Sequence, residues 1–302
     1  MEDAVKKERG RKKLALWLGL FSIIYALAGQ TVHAGPPVDF RLVKNSLVVI
    51  PVRVNEEGPF DFLLDTGTNV TLVTPALARR LDLSATSQVS LITLAGPELV
   101  PRSVLDNVAL GTKSTKQLEV LFDDLLGVRS LDAKICGVLG QNFLSQFNYL
   151  LNYRERHLEF ETEGEMARRL AGTRLAVEQH EGKLIVSSQA TTPLEAALRL
   201  VLDSGASHLV IFAAASGKLS LEPELRAGTL IPTSAAGQPI KLGRLTRLRI
   251  GSECIVNLPV ALIEDRALHE NRPEDGLLPT SLFHSIFFQN DKRIVILNPR
   301  AD

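Results

Sequence analysis

The sequence predicts an all-β protein of two similar lobes, each a closed or partly open barrel with short helices. Three observations lead there. Apolar and alternating runs are short and end at Gly, Pro or Asn turns, and no stretch carries sustained helical periodicity. The segment FLLDTGTN, in which Leu63 and Leu64 lead into Asp65, Thr66, Gly67 and Thr68, returns as LVLDSGAS, in which Val201 and Leu202 lead into Asp203, Ser204, Gly205 and Ala206. Other landmarks return in the same order. Asp65 and Asp203 lie 138 residues apart, the turns LAGPEL at Gly96 and AAGQPI at Gly237 141, VALG and LRIG 140, and GVLGQNFL and GLLPTSLF 139. Such constant spacing marks a duplicated unit. The halves are expected at residues 35–162 and 181–302, joined by a linker at 163–180.

The elements follow in chain order. SLVVIPVRV (residues 46–54) and FDFLL (60–64) flank NEEGP, whose Gly58 and Pro59 suggest the turn of a β-hairpin. Asp65 therefore sits where a strand emerges. Thr74 followed by Pro75 supplies an N-cap and a first-turn proline for a short helix through ALARRL. Gly96–Pro97 and Gly237–Gln238 punctuate strand pairs as exposed hairpin tips. Short helices are expected after Gly140 and Pro279, and YLLNYRERHLEF and SIFFQNDKRIVIL read as closing strand pairs.

Before the duplicated region, six Lys and Arg residues precede an apolar run from Leu14 to Gly29, and Val32-His33-Ala34 has small-x-small character. This is the pattern of an export signal, with either cleavage after Ala34 or membrane attachment through residues 14–29. Either outcome leaves the rest of the chain outside the cytoplasm, periplasmic, secreted or anchored. Cleavage would leave 28 basic and 31 acidic residues and would remove Trp17, the one tryptophan.

Composition excludes several classes. Basic and acidic residues each total 34 and aromatics are 5% of the chain, so neither bulk charge nor a stacking platform points to nucleic acid. The histidines, including His157, His180, His208, His269 and His284, have no metal-ligand spacing, and GxSxG and P-loop motifs are absent. Neither metal nor cofactor is expected. Export makes a disulfide between Cys136 and Cys254 chemically possible, but two separate buried thiols are the expectation, and His208 is expected as a surface residue.

Two carboxylates delivered by equivalent loops can meet across a pseudo-twofold axis, where both cannot ionise together and the pair shares a proton. Gly67 and Gly205 permit backbone N–H groups to approach the carboxylates, and the Thr66 and Ser204 hydroxyls can both donate and accept across the boundary. The twice-occurring D-T/S-G, each with an apolar-apolar-Gly type segment downstream, resembles the aspartic proteases of the retropepsin and pepsin clan over residues 45–298, as two fused retropepsin-like lobes in a single exported chain. That resemblance implies a catalytic Asp65/Asp203 dyad supported by Thr66, Gly67, Thr68, Ser204, Gly205 and Ala206, and flaps at Gly96–Pro97 and Gly237–Gln238. It implies an endopeptidase acting as a monomer on an extended polypeptide. Two departures stand out: Ala206 replaces the hydroxyl of Thr68, and Pro279 replaces Gly140. They favour the alternative, an inactive peptide-binding or scaffold module.

Overall fold

The computed structural model describes residues 35–301 apart from 94–95, 163, 193, 220–221, 231–237 and 264–272. Contacts divide the chain after His33, and Ala34–Asp302 forms one compact unit. The apolar run at residues 14–29 and the turn residue Gly237 lie outside the described residues. Among those described, no helix is long and apolar enough to cross a membrane.

The architecture is all-β, in three sheets. One eight-stranded sheet belongs to the first half and another, with the same strand order, to the second. Each folds back on itself: Leu47–Val54 pairs with Glu57–Leu64 on one side and, at Arg53 and Val54, with Gly96–Leu110 on the other. Strands buried on both faces read as near-continuous apolar runs, which is why LVVI carries no alternation. The hairpin turn falls at Asn55–Glu56, with φ of +47° and +68°, and not at Gly58–Pro59, which open the return strand. Two consecutive positive φ values match the twist of the flanking strands in a two-residue turn, and asparagine tolerates that conformation.

The strands that carry the aspartates are wedged at the centre of each lobe. Phe62–Leu64 pairs in parallel with Gly137–Leu139, and Leu200–Asp203 with Gly276–Pro279. Two glycines make the crossing possible, since a Cβ on Gly137 would stand 2.7 Å from the Leu72 carbonyl oxygen and one on Gly276 2.0 Å from that of Val210. Thr74 caps the helix Pro75–Arg80 by accepting from the Leu77 N–H. Gln141–Leu144 is a short helix, and Thr280–Leu282 a 3-10 turn.

The third sheet, of six strands, joins the halves. Val38–Asp39, His157–Phe160 and Tyr149–Asn152 come from the first half, and Ser285–Gln289, Ile294–Ala301 and Leu170–Ala176 complete it in that order. At its centre Tyr149 pairs with Phe288, the rings stacked 4.8 Å apart. The stretch read as a linker is thus largely structured: Glu165–Arg169 is helical, Leu170–Ala176 pairs with the last strand, and Glu178–His180 with Lys183–Thr192. Its half-exposed strands LAGTRLA and EQH lack the continuous apolar run that reveals the others. The largest apolar core runs through both halves, from Val48 and Phe62 to Leu200 and Phe288. Cys136 and Cys254 are free, but not buried as expected: Cys136 is half-buried and Cys254 exposed, because strand alternation turns it outward.

Candidate active site

Asp65 and Asp203 emerge from the two central strands into loops that face each other, and their side chains are hydrogen-bonded together. Both are buried, each 6% exposed. The loops are locked by four reciprocal hydrogen bonds. The Thr66 hydroxyl donates to the Leu202 carbonyl at 2.7 Å and accepts from the Ser204 N–H at 3.0 Å. The Ser204 hydroxyl donates to the Leu64 carbonyl at 2.7 Å and accepts from the Thr66 N–H at 3.0 Å. Each hydroxyl thus satisfies two backbone groups of the other lobe, in an interior where an unpaired one would cost about 1–3 kcal/mol.

Glycine is required at the next position for a steric reason beyond turn geometry. A Cβ on Gly67 would stand 2.5 Å from the Asp203 carboxyl carbon, and one on Gly205 2.6 Å from that of Asp65. The Gly67 N–H donates to Asp65 Oδ1 at 2.8 Å and the Gly205 N–H to Asp203 Oδ1 at 2.7 Å. The backbone N–H groups of Thr68 and Ala206 support the same carboxylates. That third contact comes from the main chain in both loops, so the Thr68/Ala206 difference leaves it intact.

Burial pushes both carboxyls above the ordinary carboxylate range, Asp203 well above it because the charge of Asp65 adds to its desolvation. The N–H groups work in the opposite direction, stabilising the ionised forms. Burial and the neighbouring carboxylate thus both disfavour simultaneous ionisation of the two groups.

Pro279 has a matching change. In the first lobe the Gly140 N–H donates to Thr71 Oγ1 at 3.2 Å. At the equivalent place the second lobe has Leu209 and Pro279, both fully or almost fully buried, so donor and acceptor are missing together and no polar group is stranded. Sequence reading registered the proline but not its partner, because Leu209 looks like any other strand residue.

Of the expected flap residues, Gly96 and exposed Pro97 begin the return strand of the hairpin Ser87–Thr93/Gly96–Leu110. Gln238 begins the return strand of the hairpin Glu222–Leu230/Gln238–Ile250. A groove of about 630 Å³ runs beside the first active-site loop, lined by Gly67, Thr68, Val89, Leu91, Ile92 and Leu121 among others. The first hairpin thus forms one of its walls. His208 is exposed and shares a hydrogen bond with Ser207. Sequence reading missed Gln141, whose Nε2 donates to the Thr66 carbonyl at 3.0 Å, and Tyr153, whose hydroxyl lies 2.6 Å from Thr280 Oγ1. Their positions directly after Gly140 and directly after a central strand are the signal that could have found them.

No match was found among curated proteins. The sequence model described as Aspartyl protease matches residues 50–143 and 194–282, one segment in each lobe and more than half of the chain together. Each segment contains one of the two facing aspartates and its supporting strands. The chain belongs to the aspartyl protease family, as a two-lobed, retropepsin-like member.

Proposed function

We propose that the protein is an aspartic endopeptidase that hydrolyses peptide bonds with the Asp65/Asp203 pair and an activated water. The observation that carries this reading is the pair itself: two buried carboxyls hydrogen-bonded to each other, each held by the N–H of its own glycine. One shared proton makes the pair a base and an acid at once. The ionised member takes a proton from water as it attacks the carbonyl carbon, while the protonated member supports the carbonyl oxygen, and a proton passes from the pair to the leaving nitrogen as the C–N bond breaks. Positioned proton transfer of this kind contributes about 10² to 10⁴ in rate. The locked hydroxyls keep the two oxygens in place, so little reorganisation accompanies the reaction. An extended peptide in the groove would gain main-chain pairing with the wall strand Ser87–Thr93 and apolar contacts with Val89, Leu91 and Ile92.

The alternative of an inactive binding module rests on Ala206 and Pro279. The main-chain N–H at Ala206 and the coupled loss at Leu209 support the active reading over it. We also propose an extracytoplasmic location, supported by the basic and apolar pattern of residues 1–34.

The test is incubation of a diverse peptide mixture with the full-length protein from acid to neutral pH, read by mass spectrometry beside Asp65→Asn and Asp203→Asn. The expected result is a set of cut sites lost in both variants. Binding of peptides without cleavage at any pH, or cleavage at the wild-type rate in either variant, would overturn the proposal.

A further inference from the structure

Tyr153 and Asn290 occupy equivalent places in the two halves, each the first residue after a central strand of the joining sheet, Tyr149–Asn152 and Ser285–Gln289. Each reaches into the other half. Asn290 Nδ2 donates to the carbonyls of Leu144 at 3.2 Å and Phe147 at 2.6 Å, at the far end of the helix that follows Gly140. Tyr153 reaches the 3-10 turn that follows Pro279. Its backbone N–H donates to the His284 carbonyl at 2.9 Å, and its hydroxyl lies 2.6 Å from Thr280 Oγ1.

The two ties differ in what stands behind them. Leu144 and Phe147 lie beyond the helix from Asp65, whereas Thr280 directly follows Pro279, the residue opposite Asp203 in the parallel ladder. Thr280 is fully buried and Tyr153 is 8% exposed, with its ring set edge-on against Phe40 at 6.1 Å. The phenol is close enough to Asp203 for the carboxylate charge to disfavour its ionisation. The first lobe braces its own active-site loop through Gln141, whose amide reaches the Thr66 carbonyl. Thr280 stands at the place of Gln141 and has no amide to do the same.

We propose that Tyr153 is a positioning residue for Asp203: by hydrogen bonding Thr280 across the lobe boundary, its hydroxyl holds the turn against which the second carboxyl is seated. The inference rests on the Asp65/Asp203 reading of the site. Among the described residues, the charged group facing Asp203 is Asp65, and the polar groups acting with it are the Gly205 and Ala206 N–H groups and this phenol. Removing the hydroxyl leaves the surroundings of Asp203 more apolar and its turn less constrained. The ionised form of Asp203 becomes costlier, so its titration moves to higher pH.

Carbon-13 NMR titration of the aspartate carboxyls in the full-length protein tests this, with the Asp203 signal assigned by its loss in Asp203→Asn. Tyr153→Phe keeps the ring on Phe40 and should move the Asp203 step upward. Thr280→Val removes the same bond from its other end and should do likewise. Asn290→Ala, the equivalent tie in the other half, should lower stability and leave the step in place. In turnover, Tyr153→Phe should lower kcat about tenfold with KM unchanged, the order of one lost hydrogen bond. Superimposable titrations of wild type and both hydroxyl variants would overturn the assignment, as would an equal shift in Asn290→Ala. The titration needs no turnover, so a wild type that cleaves no peptide would refute the proposed activity while this result remained readable.

Discussion

Asp65 and Asp203 are seated where an ionised carboxyl is expensive, and this has a consequence for stability as well as for chemistry. Their folded pKa values lie above the ordinary 3.8, so the protonated forms stabilise the fold fully below that value, and the contribution is lost as pH rises through the folded values. Asp203→Asn replaces the group with a neutral one that can still accept from the Gly205 N–H. The variant should therefore melt a few degrees above wild type at pH 7, with the gap closing towards pH 3, as read by calorimetry across pH. A wild type at least as stable as the variant at pH 7 would contradict the burial argument. The neighbouring glycines should be far less tolerant. In Gly67→Ala the new methyl would press on the Asp203 carboxyl carbon, which is held in turn by Gly205 and cannot retreat. Near-native circular dichroism with kcat/KM reduced at least about 100-fold is the expected outcome, since a displacement of about 1 Å costs that much in a positioned site.

At the scale of the element, the two lobes repeat a topology while changing its chemistry. The repeat is legible in the sequence because four landmarks survive at near-constant spacing, and at two of them geometry leaves little choice. Gly137 and Gly276 sit where strands cross too closely for a Cβ, and the D-T/S-G triplets sit where hydroxyls and N–H groups must reach across. The strand Leu170–Ala176 is illegible for the opposite reason: it owes its place to pairing with the last strand of the chain, over 100 residues away. Local propensity carries no trace of such a partner. The exchange of Thr71 and Gly140 for Leu209 and Pro279 is visible only when both members are seen in contact. It predicts a measurable coupling. Leu209→Thr alone buries a hydroxyl without the Gly140-type donor, and Pro279→Gly alone buries an N–H without an acceptor, each costing about 1–3 kcal/mol. The double variant recreates the first lobe's pair and should recover about 1 kcal/mol of the summed loss in urea denaturation. Strict additivity would mean that the two positions are independent.

At the scale of the whole molecule, the question is whether two lobes so alike are two folding units. Their sheets are separate, and each lobe has strands enough to close on itself. What ties them is the six-stranded sheet, with its Tyr149–Phe288 and Leu151–Ile286 pairs at the seam, and the largest core, which draws Val48, Phe62 and Leu151 together with Leu200, Leu278 and Phe288. Each fully buried side chain of this kind stabilises by about 1.5–3 kcal/mol, so a handful at the seam rivals the net stability of a whole domain. The four bonds between Thr66, Ser204, Leu64 and Leu202 add polar groups that neither lobe can satisfy alone. A lobe that unfolded would strip the other of half its joining sheet and strand its active-site loop. Ala34–Asp302 should therefore unfold in one calorimetric transition with equal calorimetric and van't Hoff enthalpies, despite its duplicated sequence. Thr66→Val combined with Ser204→Ala should lower the midpoint of that single transition without splitting it. Two resolved transitions in the wild type would mean that the seam is weaker than its buried contacts imply, and that the lobes merely lean on one another.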